Sequence, residues 1–151
     1  MKNPDSIPKP IIYCLIFIGI GITSAILGII NPFTIIGTFP LEGISAILYS
    51  SIIGIILSIC TYGILKKRRW SLKITTTWYS LNIIILFFNF IVFIRNIKDI
   101  IKLKQVHYPE NAHLYTDSNV SLIAFITFLL GIIFALYVII NLNRNKDYFI
   151  K

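Results

Sequence analysis

Residues 44–94 read ISAILYSSIIGIILSICTYGILKKRRWSLKITTTWYSLNIIILFFNFIVFI. Two apolar runs, Ile44–Leu65 and Leu72–Ile94, flank four consecutive basic residues, Lys66, Lys67, Arg68 and Arg69, followed by Trp70. Each run is close to the ~20 residues an α-helix needs to cross the hydrocarbon core of a bilayer. A short basic turn between two such runs marks a helical hairpin whose turn sits on the cytoplasmic side, with Trp70 and the cations as interface anchors. Working outward, Ile11–Ile30 precedes this pair and Val120–Ile140 follows it. None of the four runs holds Asp, Glu, Arg or His, and the one Lys, Lys73, lies just inside the third. The expected fold is all-α: an integral membrane four-helix transmembrane bundle, one domain over residues 1–151. Its spans are 11–30, 44–65, 72–94 and 120–140, with an outer loop at 95–119.

Composition agrees. The chain is 56% hydrophobic and 13% charged, with mean hydropathy +0.82, whereas a soluble domain carries about a quarter charged residues. Asp5, Glu42, Asp99, Glu110, Asp117 and Asp147, the six acidic residues, all fall outside the runs. No connecting segment is long enough to build a soluble core. The net charge of +8 is spread over the flanks of the runs, which points to lipid head groups as partners and away from nucleic acid. Heavy use of Ile points to an AT-rich, prokaryotic source.

The distribution of Lys and Arg sets the orientation. Lys2, Lys9, the Lys66–Arg69 cluster with Lys73, and Arg144, Lys146 and Lys151 make ten positive residues on one side; Arg95, Lys98, Lys102 and Lys104 make four on the other. Both termini are therefore expected in the cytoplasm of a multi-pass plasma-membrane protein. The first run exceeds the 7–15 residues of a signal-peptide core and reads as an uncleaved signal-anchor.

The connections carry turn signals. Pro4, Pro8 and Pro10 are expected to keep the N-terminal tail extended and outside the first helix. Asn31-Pro32 ends that helix. The loop Asn31–Gly43 is read as a short apolar segment on the outer interface, with Pro40 and Glu42 in the first turn of the second helix. Ser71 is expected to cap the third helix, and Asp117, Ser118 or Asn119 the fourth. Ile94, Ile97, Ile100 and Ile101 recur at helical spacing with Lys98, Asp99, Lys102 and Lys104 elsewhere on the turn, an amphipathic extension of the third helix. It is expected to lie on the outer membrane surface; the alternative is a helix projecting into water.

Helices in lipid associate through small residues. Such rows occur at Gly21, Ala25 and Gly28 (with Ser24), at Ala46, Ser50, Gly54 and Ser58, and at Thr127, Gly131 and Ala135. They serve packing within the chain or pairing of copies. The third span carries Thr75, Asn82, Asn89 and Asn96 at heptad spacing, a polar face that drifts by only ~20° per repeat. Amides inside a membrane need partners, so this face either bonds to neighbouring helices or lines a hydrated groove.

Reactive chemistry is sparse. Cys14 and Cys60 form no Cys-x-x-Cys pair and read as buried small hydrophobes. His107, Glu110 and His113 have ligand chemistry for zinc or nickel, yet match no metalloprotease signature, and Pro109 interrupts the helix that would align them; they read as solvated loop residues. No acidic residue within a span supports a proton-coupled exporter. No membrane Ser–His pair, P-loop or paired-Asp synthase motif is present. No cofactor or metal is expected. The residues point to a non-enzymatic accessory, scaffold or regulatory subunit acting through helix contacts with a homo-oligomer or membrane partner. A small transporter or channel subunit using the Asn82–Asn89 face is the alternative.

The hairpin Tyr62-Gly63-Ile64-Leu65-Lys66-Lys67-Arg68-Arg69-Trp70-Ser71 and the tail Asn143–Phe149 resemble a group of small four-span prokaryotic membrane proteins. Those have a Gly-Leu-x-x-basic-Arg-Trp-Ala hairpin after the second helix and a basic-x-x-Tyr-Phe tail. Ser71 stands where the group has Ala. The resemblance implies fold and topology and no activity.

Overall fold

The computed structural model describes residues 7–36 and 39–149 and is 84% helical. Helix α1 spans Lys9–Ile30; strands β1 (Phe33–Ile36) and β2 (Phe39–Glu42) follow; then come α2 (Ile44–Leu65), α3 (Arg69–Arg95), α4 (Ile97–His107), a 3-10 turn (Pro109–Leu114), α5 (Asp117–Arg144) and a final 3-10 turn (Lys146–Tyr148). Helices α1, α2, α3 and α5 are long and apolar enough to cross a membrane. Leu, Ile and Phe side chains cover their outer faces: Phe88 is 66% exposed and Ile123 62%. In a soluble protein such surface would face the core.

The helices form a ring in the order α1–α2–α3–α5, with the most extensive packing between α1 and α2 and between α3 and α5. The two small-residue rows of α1 and α2 face each other in antiparallel register. A Cβ at Gly28 would fall on the Ser50 Oγ, one at Gly21 would lie 2.8 Å from Leu57, and one at Gly54 lies 3.5 Å from the Ala25 Cβ. Close backbone approach of this kind is how apolar helices gain dispersion contacts where no hydrophobic effect drives them together. The α3–α5 pair is built on aromatics: Phe90 stacks on Phe128 with centroids 4.1 Å apart. Gly131 admits the Leu86 side chain, which would come within 3.0 Å of a Cβ there. Phe17 of α1 bridges the pairs by stacking on Phe134 of α5 at 4.6 Å.

The core that joins the pairs lies at the end of the bundle carrying the start of α1, the basic turn and the end of α5. Ile11, Cys14, Ile18, Leu57, Ile64, Val138, Leu142 and Phe149 form one buried cluster there. The only buried residues of α3, Ser71 and Thr75, lie in its first two turns at the same end. Between α2 and α3 the chain turns through Lys67, whose φ of 54° is left-handed. The Lys67 amide donates to the Ile64 carbonyl and the Arg68 amide to the Gly63 carbonyl, the paired bonds of a Schellman turn.

Several local expectations are corrected. Pro10 lies inside the first turn of α1, where its missing amide hydrogen costs nothing; Pro4 falls outside the described residues. Asn31–Gly43 is a β-ribbon, pairing Phe33 with Glu42 and Ile36 with Phe39. Pro40 and Glu42 are therefore strand residues, and α2 begins only after Gly43, whose φ of +54° makes the corner. Gly37 and Thr38, between the strands, lie outside the described residues. The Ser71 hydroxyl does not cap α3; it donates back to the Arg68 carbonyl at 2.7 Å. The α5 cap is Thr116, whose Oγ1 accepts from the Asn119 amide at 3.3 Å.

Candidate functional site

Away from the termini the two helix pairs are joined by the ribbon and α4 rather than by a common core. Helix α3 breaks at Asn96, whose φ of −122° is not helical. The Asn96 side-chain amide donates to the Val92 carbonyl at 2.9 Å, the local competition with helix geometry that Asn favours. The chain then folds back as α4 and packs on α5 and on the 3-10 turn. Ile100 and Ile101 are buried in that contact. Of the isoleucine face that the sequence assigned to the membrane surface, Ile100 and Ile101 are thus covered by protein, Ile97 is partly covered and Ile94 stays exposed. The Gln105 amide donates to the Tyr115 carbonyl at 3.0 Å and fixes α4 to the turn. On its far side α4 meets the ribbon: the His107 ring stacks on Phe33, centroids 3.8 Å apart, and Asn31 donates to the Tyr108 hydroxyl at 3.4 Å.

This frame encloses a cleft of adjoining cavities. One of 390 Å³ lies between β1, α3 and α4, lined by Phe33, Thr34, Asn89, Phe93, Lys104 and Tyr108 among others. A second of 260 Å³ runs between α3, α4 and α5; it shares Asn89, Phe93 and Lys104 with the first and is otherwise mostly apolar, with Leu86, Phe90, Ile123 and Phe128 on its walls. A third of 570 Å³ opens between α1, α2 and β1 and shares Phe33 and Thr34 with the first.

Two polar side chains dominate the junction. Asn89 is half-buried and has no hydrogen-bond partner among the described residues. The Lys104 ammonium is also half-buried and lies 5.7 Å from the centre of the Tyr115 ring, within reach of a cation–π attraction. No carboxylate pairs with it among the described residues. Burial pushes its pKa below the ordinary 10.5.

The polar face of α3 divides along its length. Thr75 is buried with its hydroxyl unpartnered apart from the neighbouring Cys60 thiol. The Asn82 amide donates at 3.0 Å to the Trp78 carbonyl of its own helix. Asn89 alone opens on the cleft. Neither Asn82 nor Asn89 bonds to a neighbouring span. Among the other small-row residues, Ala46 and Ala135 are buried, whereas Ser58 and Thr127 are exposed and donate to the Gly54 and Ile123 carbonyls. Cys14 and Cys60 are buried free thiols.

His107, Glu110 and His113 are not assembled. His107 belongs to the Phe33 stack, Glu110 and His113 sit exposed on the 3-10 turn, and no group of three or more His, Cys, Asp or Glu among the described residues is placed to hold a metal. At the opposite end, the basic turn and the C-terminal tail meet: the Lys67 ammonium lies 5.4 Å above the Tyr148 ring and Phe149 is buried. Trp70 packs over Gly63.

Lys104 was not legible as a site residue while counted as a flanking charge. The signal was present, because Lys104 falls seven, four and three residues after Ile97, Ile100 and Ile101, on the buried face of α4. Compared with family models, with curated proteins and with solved structures, the chain matches none.

Proposed function

We propose that the chain is a non-enzymatic, four-span integral membrane protein of the plasma membrane, with both termini cytoplasmic, that works as an accessory or regulatory protein by holding a partner molecule in the cleft at its outer end. The excess of basic residues at the Lys66–Arg69 turn and both tails supports this orientation. One observation carries the functional part: Asn89 and Lys104, two polar groups without polar partners, converge from α3 and α4 on adjoining cavities, one mostly apolar and the other also lined by Thr34 and Tyr108. Unpaired polar groups next to apolar surface are the composition of a binding site. The resemblance to small four-span prokaryotic proteins is part of the same proposal, supported by the packing of the basic turn against the Tyr148-Phe149 tail.

The transporter reading draws support from Asn89 facing a cavity, but the buried cluster around Ile18, Leu57 and Val138 fills the other half of the bundle. A route through one chain would need that cluster to open. Contact with a protein partner would fall to the exposed small side chains Ser58 and Thr127, since the facing rows of α1 and α2 are occupied by each other. Purification in mild detergent followed by native mass spectrometry tests the proposal. The expected result is a bound small molecule or membrane partner that is lost when Ala124 in the cleft wall is replaced by Trp. Retention of every bound species in that variant would overturn it.

A further inference from the structure

We propose that the cleft binds one anionic membrane lipid, its acidic head held by Lys104 and Asn89 and an acyl chain laid between α3 and α5. The inference rests on the reading of the cleft as a binding surface within a bilayer. The charge argument comes first. A half-buried ammonium whose neighbour is an aromatic ring, with no carboxylate in contact among the described residues, leaves a cation uncompensated in partly apolar surroundings. Such a charge is costly unless an anion reaches it. The Asn89 amide, one helix away, supplies two donors that have no acceptor. The Tyr108 hydroxyl and Thr34 line the same cavity. Together they suit a phosphate or carboxylate.

Shape supplies the second half. The cavity beyond Asn89 and Lys104 is walled by Leu86, Phe90, Phe93, Ile123 and Phe128. A small free anion would leave this slot to water, which finds few partners there. An amphiphile satisfies both parts at once: head at the cation, chain along the aromatic wall. Basic pockets between spanning helices recognise anionic head groups on the same principle.

The test uses the full chain purified in a neutral detergent, with thermal unfolding and native mass spectrometry as readouts. Phosphatidylglycerol, phosphatidylcholine and inorganic phosphate are titrated separately. Phosphatidylglycerol is expected to bind at one site and raise the unfolding temperature, with phosphatidylcholine weaker by about tenfold or more, the worth of one charged hydrogen bond. Lys104→Gln should erase the difference between the two lipids, Lys104→Arg should keep most of it, and Lys98→Gln, an exposed neighbour on α4, should leave it intact. Filling the slot by Ala124→Trp should remove binding of both lipids. Equal binding of the two lipids by the unaltered chain, or a preference that survives Lys104→Gln, would overturn the proposal while leaving a cleft that takes neutral lipid. An equal shift with inorganic phosphate alone would overturn the lipid assignment. Lipid binding indifferent to Ala124→Trp would overturn the cleft reading itself.

Discussion

Gly63 and Asn89 show what single residues settle in this chain. A Cβ at Gly63 would come within 2.6 Å of the Trp70 ring and closer still to the Ser71 Cβ. The Trp70 ring edge can swing away, but the Ser71 Cβ is fixed to the first turn of α3. Gly63→Ala should therefore pry the turn apart and destabilise the protein by about 1–3 kcal/mol, read as a lowered unfolding temperature in detergent; an unchanged temperature would mean the turn is looser than described. Asn89 points the other way. Its amide has no bond to lose, and replacing an unpaired polar group by an apolar one of similar shape is neutral or stabilising. Asn89→Leu should leave the unfolding temperature of the ligand-free protein unchanged or raise it. A loss of more than about 1 kcal/mol would show that the amide is bonded in the folded state. The heptad pattern placed Asn82 and Asn89 on one face but could not tell their fates apart. That depends on which side chains and cavities surround each position, a property of the whole bundle.

At the scale of elements, the apolar runs were legible because a bilayer demands length and apolarity within one segment. The termini of α1 and α2 fall within two residues of the runs, while α3 and α5 extend further at their ends, to Arg69–Arg95 and Asp117–Arg144. The ribbon was not legible. Pro40 and Glu42 are as fitting at a helix start as at a strand end, and only the pairing of Phe33 with Glu42, across the connection, decides between them. Likewise Thr116, Asp117, Ser118 and Asn119 are all good caps, and the choice of Thr116 follows from where the 3-10 turn releases the chain. Thr116→Ala should lower stability by about 0.5–2 kcal/mol in thermal or denaturant unfolding, whereas Ser118→Ala should be nearly silent. Helix α4 contributes one pH dependence through Lys104. The Lys104 pKa is depressed by burial in the folded state, so between the folded and unfolded values the unfolded chain binds more protons. The contribution of Lys104 to stability therefore rises with pH in the window just below 10.5 and falls away as pH drops through the folded value. Comparing the pH profile of unfolding with that of Lys104→Met isolates the slope; identical profiles would mean the ammonium is solvated.

For the whole molecule, the arrangement is two closely packed helix pairs that share a core at the end with the basic turn, the start of α1 and the end of α5, and that are held apart at the other by a ribbon and a folded-back helix. The tight end follows from sequence-local facts: a basic turn and a tail with aromatic residues. The open end follows from contacts between segments far apart in the chain, such as Phe33 with His107 and Asn31 with Tyr108, and no periodicity announces them. Its place on the outer side of a membrane is the claim on which the proposed function depends. Single cysteines placed in a variant lacking Cys14 and Cys60, one at Val106, which is 82% exposed on α4, and one at Lys66 in the basic turn, test it in intact cells with a membrane-impermeant maleimide. The cysteine at position 106 should be modified from outside, and the one at position 66 only after the membrane is broken. The reverse pattern would invert the protein, and modification of both from outside would contradict a membrane-spanning α3.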